Sequence, residues 1–118
     1  AFELAKKHRL KTAWGTDILF DPGMTKNLGA ILAQMTRWYA SGEALLMATG
    51  RNAELLALSG ERNPYPGKLG VIEAGAYADL LIVDGDPVAD IALVADPDAN
   101  MRLIMKAGRI YKNTLPAG

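Results

Sequence analysis

Ala13-Trp14-Gly15-Thr16-Asp17 is a short strand-like run that ends on a carboxylate, and Asp17 is the residue of this chain best placed to do chemistry. In α/β architectures, catalytic groups gather at the carboxyl ends of strands. A carboxylate there can bind a divalent cation or serve as a general base, because a neighbouring positive charge keeps it ionised near neutral pH. The plainer reading is a cap, since an Asp after Gly-Thr can end a strand and accept hydrogen bonds from the following loop. The pattern alone leaves both open. Asp21 lies just beyond, in the turn signal Asp21-Pro22-Gly23, and is a candidate substrate contact that turn formation explains equally well.

Little else in the chain can share such chemistry. His8 is the single histidine, and there is no cysteine. An extended segment between His8 and Asp17 rises about 3.3 Å per residue, which would set the two roughly 30 Å apart. A histidine beside Lys6, Lys7 and Arg9 reads as part of a solvated basic turn. One carboxylate does not make a zinc site where three or four protein ligands are usual. Asp79, Asp84, Asp86 and Asp90 do not follow the alternating ligand positions of a calcium loop and read as turn acids. Gly67, Gly70 and Gly75 lack the ending of a phosphate loop, and neither Ser41 nor Ser59 has a histidine partner for a nucleophilic triad. Trp38 and Tyr39 read as core packing.

The hydrophobic period divides the chain near Asn63 into a helical first part and a strand-rich second part. Ala1 to His8 reads as the end of a helix with basic residues in its last turn, and Leu10 to Gly15 as a strand. Thr25 can cap a helix running to about Tyr39, with Leu28, Ile31, Leu32 and Met35 on one face. Helices opening at Ser41 or Gly42 and after Thr49-Gly50 follow, the last stopped by Ser59-Gly60. Past the breaker-rich linker Glu61 to Gly67, strands are expected at Lys68 to Glu73 and at Ala78 to Asp84, whose Leu80-Leu81-Ile82-Val83 reads as buried. Pro87 to Val94 suits a helical turn or two. Met101 to Lys106 and Arg109 to Lys112 form a hairpin about Ala107-Gly108, and the tail Leu115-Pro116-Ala117-Gly118 is expected to be loose.

The 118 residues, half of them apolar and 22% charged, suffice for one ordinary core. Thirteen basic and thirteen acidic side chains cancel, so the long-range field that nucleic acid or an anionic membrane would require is missing, and neither is expected as a partner. No apolar run approaches the roughly 18 to 20 residues of a membrane span. A soluble, cytoplasmic protein is the default expectation, although a leader already removed would leave the same sequence.

Three stretches together resemble the C-terminal end of the amidohydrolase superfamily, nearest its imidazolonepropionase-like and prolidase-like branch. Lys11-Thr12-Ala13-Trp14-Gly15-Thr16-Asp17 is similar to the eighth barrel strand of that family with its terminal Asp. Ala48-Thr49-Gly50-Arg51-Asn52-Ala53-Glu54-Leu55-Leu56 resembles a helix near the barrel's end, with Asn52 where a proline is usual. Lys68 to Pro87 resembles the chain's return to a small β domain, and Ile104 to Tyr111 compares with the family's closing strands.

The resemblance implies a fold of the α/β plus β kind. Residues 1–62 would be the last βα portion of a (β/α)8 metallo-dependent hydrolase barrel, and residues 63–118 part of a small β-sandwich, or composite, domain. It implies an enzyme that holds one or two divalent metals, usually zinc, and hydrolyses the C–N bond of amides, dipeptides or cyclic amides, with Asp17 as metal ligand and proton carrier. The family's His-x-His and its other ligands have no counterpart here, so the chain alone is expected to bind no metal and to be inactive. It reads as a fragment that self-associates or joins the missing barrel strands. The contrasting reading is a noncatalytic association or scaffold module. A His-x-His about 250 to 330 residues upstream, as a barrel of roughly 250 residues plus insertions would require, would favour the enzyme.

Overall fold

A computed structural model describes residues 1–116, so Ala117 and Gly118 of the expected loose tail lie outside the described residues. Helix α1 spans Phe2–Lys7, with Glu3 in its first turn and Lys6 and Lys7 in its last, as the helix dipole favours. The helix expected from Thr25 to Tyr39 is broken into three pieces: a 3-10 turn at Pro22–Asn27, α2 at Leu28–Ala33, and a second 3-10 turn at Gln34–Arg37. Its cap is Asp21 rather than Thr25. The Gly23 amide donates to Asp21 Oδ1 at 3.0 Å, whereas the Thr25 hydroxyl donates back to the Pro22 carbonyl at 2.7 Å. Helices α3 (Ser41–Ala48) and α4 (Gly50–Ala57) fall where expected, and α4 ends before Gly60 at a left-handed φ of 56°.

The second part holds one three-stranded antiparallel sheet, ordered β1 (Leu80–Val83), β2 (Met101–Lys106) and β3 (Arg109–Asn113). Leu80 faces Met105 and Val83 faces Met101 across β1 and β2, with an irregularity between Ile82 and Val83. Ala107 and Gly108 turn the β2–β3 hairpin with φ of 48° and 78°, the paired positive values whose twist matches the flanking strands. Between β1 and β2, a 3-10 turn at Ile91–Ala95 leads into α5 (Pro97–Asn100).

Two expected strands do not form. Leu10 to Gly15 forms no strand, because its backbone finds no ladder partner among the described residues. Lys68 to Glu73 keeps only a single bridge, Lys68 to Ala76. Gly70 bends it away with a φ of 70° and backs onto the Thr49 carbonyl, where an added Cβ would lie 2.5 Å from the oxygen.

The core joins both parts of the chain. Leu32, Met35, Tyr39, Ala44 and Met47 pack with Ile91 and Val94 from beyond the linker, flanked by Phe2, Trp14, Trp38 and Met101. Phe2 stacks on Trp38 at 4.4 Å between ring centroids and meets Tyr39 edge-on at 6.0 Å. Close approach at Gly29 closes this core, since a Cβ there would fall 1.8 Å from the Val94 carbonyl oxygen. The Ile91 amide donates to Ser41 Oγ at 3.2 Å, a second tie across the same seam.

Strand β1 departs from expectation in its burial. Its continuous apolar run reads as buried, yet Leu81 is 53% and Ile82 43% exposed. The strand lies at the sheet edge, and no further layer of the described residues covers it. No described helix is long and apolar enough to cross a membrane.

Candidate functional site

Asp17 ends the extended segment that starts at Leu10, and two side chains of α4 hold that segment in place. The Trp14 amide donates to Asn52 Oδ1 at 2.9 Å, and Lys11 Nζ pairs with Glu54 Oε2 at 2.6 Å. Asn52 also donates from Nδ2 to the Ala48 carbonyl at 3.3 Å, so one amide side chain bridges the end of α3 and the Asp17-bearing segment. A proline at this position would offer no such acceptor. The Trp14 side chain packs against the core, which fixes the segment on its other side.

Beyond Gly15 the backbone is strained. Asp17 has a φ of 52° and Phe20 a φ of 74°, left-handed values that non-glycine residues adopt uncommonly and Asp more readily than most. Phe20 is fully exposed at 101%. Asp17 is exposed and makes no side-chain hydrogen bond among the described residues. Thus Asp17 is not acting as a strand-end cap in this structure, which was the plainer reading of its position.

Asp17 and Asp21 line one open cleft of about 500 Å³ together with Ile18, Leu19 and Phe20. The two acids differ in what they do there. Asp21 is engaged by the Gly23 amide, and its backbone carbonyl accepts from Met24 at 3.1 Å, whereas the Asp17 carboxylate is unengaged. His8 caps the end of α1 and does not line this cleft. No group of three or more His, Cys, Asp or Glu able to hold a metal occurs among the described residues, so the residues present do not by themselves fit a metal site.

The remaining acids behave as turn residues. Asp86 accepts from Val88 at 2.9 Å, Asp90 from Ala92 at 2.9 Å and Asp79 from Ala107 at 2.7 Å, while Asp84 pairs with Arg102. A concavity of about 590 Å³ lies between α4 and the Asn63 to Val71 stretch and includes neither Asp17 nor Asp21. Its Lys68–Glu73 pair is exposed, and this hollow shares no lining residue with the Asp17 cleft.

No protein-family profile matches the chain, and no curated protein does. Solved structures do. One, an amidohydrolase, superimposes on 98% of this chain with a TM-score of 0.80 and 28% identity. An uncharacterized protein matches 96% of it with a TM-score of 0.76 and 30% identity. A prolidase complexed with N-methylphosphonate-L-proline matches 96% with a TM-score of 0.72 and 30% identity. In each case the match takes in 26% of the other protein, so this chain spans about a quarter of the length of the structures it matches. In sequence and in fold together, the chain resembles a quarter-length part of the amidohydrolase superfamily, on the side of its prolidase-like branch.

Proposed function

We propose that the chain is the C-terminal part of a metal-dependent amidohydrolase that cleaves C–N bonds in amides, dipeptides or cyclic amides. Residues 1–62 would then close a (β/α)8 barrel, and residues 63–118 would complete a small composite β domain. The observation that carries this reading is the superposition of 98% of the chain on an amidohydrolase at 28% identity, with an unengaged carboxylate held at the end of an anchored segment. The exposed apolar edge β1 supports it too, because a strand of that composition belongs inside a larger sheet.

In the complete enzyme, one or two divalent ions, zinc by preference, would be held by Asp17 and by residues this chain does not contain. Such an ion supplies Lewis acidity and a reactive water when bound. The chain's own part is proton handling: Asp17 accepts a proton from the attacking water and returns it to the departing nitrogen. Its left-handed backbone and freedom from hydrogen bonds leave both carboxylate oxygens available for that exchange. Asp21 would touch substrate from the same cleft. A cytoplasmic location suits an enzyme of small soluble substrates. The chain alone, lacking the other ligands, would be inactive.

The test is hydrolysis of a dipeptide panel by the protein extended upstream, with and without Asp17→Asn. Loss of at least about a hundredfold in rate is expected, in line with removal of a general base. Undiminished turnover in Asp17→Asn, or chelator-sensitive hydrolysis by the purified 118-residue chain, would overturn the proposal.

A further inference from the structure

Away from the Asp17 cleft, four cationic side chains, Lys6, Arg9, Lys11 and Arg51, converge on one hollow of about 390 Å³ with Glu43 as the sole lining carboxylate. Some of that charge is already engaged. Lys6 Nζ donates to the Trp38 carbonyl at 2.6 Å, Lys11 pairs with Glu54 at 2.6 Å, and Glu43 accepts from the Ala40 amide at 3.0 Å. Arg9 and Arg51 are different: neither has an ion-pair partner among the described residues. Arg9 is held just past the end of α1 by a left-handed φ of 49°, and Arg51 stands in the first turn of α4. Separate elements thus bring two unpaired guanidinium groups to the same concavity.

Tyr39 forms part of its wall, and the Tyr39 hydroxyl is a buried polar atom with no hydrogen-bond partner among the described residues. A concave surface carrying one sign of charge focuses its field on a small anion. Guanidinium groups present planar pairs of donors that match the oxygens of a phosphate better than they match chloride. The thirteen bases and thirteen acids of the whole chain give no extended basic face, so the attraction is local and suits a small ligand rather than a polymer.

We propose that this hollow binds a phosphate-class oxyanion, free phosphate or the phosphate group of a small ester, with Arg9 and Arg51 as its principal holders and Lys6 and Lys11 adding charge. It shares no lining residue with the Asp17 cleft, so the assignment stands apart from the hydrolytic reading. Calorimetric titration of the 118-residue chain with inorganic phosphate and with phenyl phosphate, against chloride at matched ionic strength, tests it. Saturable one-to-one binding of either phosphate is expected, and whichever binds more tightly identifies the source. Arg51→Gln and Arg9→Gln should each weaken it by about tenfold, the loss of one charge-assisted contact. Lys106→Gln, an exposed cation on the β2–β3 hairpin, should change it less than about twofold. Circular dichroism establishes that each variant is folded, and the exposed Arg9 site serves if Arg51→Gln is not. Absence of saturable binding, or equal weakening by Lys106→Gln and the folded arginine variants, would overturn the assignment.

Discussion

Asn52 Oδ1 accepts the Trp14 amide at 2.9 Å, so a side chain in the first turn of α4 does for the segment that carries Asp17 what a neighbouring strand would do. One partly buried contact therefore fixes where the carboxylate begins its excursion into the cleft. Asn52→Leu keeps the bulk but removes the acceptor, leaving a partly buried amide unpaired at a cost of about 1 to 2 kcal/mol. Asn52→Asp retains the acceptor for Trp14 and suits the α4 dipole but loses the Nδ2 donor to the Ala48 carbonyl, so its loss should be smaller than that of Asn52→Leu. Urea denaturation with hydrogen exchange at the Trp14 amide measures both. Unchanged Trp14 protection in Asn52→Leu would show that the contact holds nothing.

Gly29 marks the tightest approach in the core, with the Val94 carbonyl oxygen standing where a side chain would begin. Gly29→Ala must therefore push α2 away from the Ile91–Ala95 turn, and a loss of about 3 kcal/mol is expected from overpacking. Gly15 provides the contrast, because an added Cβ there meets nothing within 4 Å. Gly15→Ala should stay within about 0.5 kcal/mol of the parent. The difference between the two denaturation midpoints is the measurement, and similar midpoints would contradict the packing described for α2.

Strand β1 exposes Leu81 and Ile82 at the edge of the sheet, and an apolar edge with unpaired backbone groups recruits another strand. We expect the chain to self-associate through this edge, with the dimer fraction rising with concentration. Leu81→Lys should raise the dimer dissociation constant by at least about tenfold, since a lysine on an edge blunts pairing. Size-exclusion chromatography with light scattering decides it, and a monomer at every concentration in the parent chain would refute the expectation.

Local periodicity and turn chemistry were enough to locate the helices from Phe2 to Lys7, Ser41 to Ala48 and Gly50 to Ala57, because those signals act over a few residues. The β2–β3 hairpin was legible for the same reason, from Ala107-Gly108 between two apolar runs. Asp17 stood out from its own sequence surroundings. What the sequence could not settle was anything that depends on a distant neighbour. Leu10 to Gly15 has the composition of a strand but no strand partner among the described residues, and whether it pairs depends on which backbone lies beside it. The stretch from Pro22 to Arg37 is divided into three helical pieces, and Gly29 within the middle one meets Val94, a contact between residues far apart in the chain. Leu80 to Val83 carries the apolar character of a buried strand, and only the assembled sheet leaves it at an edge. The Asn52 amide became an anchor for Trp14 only once α4 packed beside the segment. Short-range backbone preferences are written in the residues themselves, whereas a ladder partner, a close approach or a shared cleft exists only after the chain has brought its separated parts together.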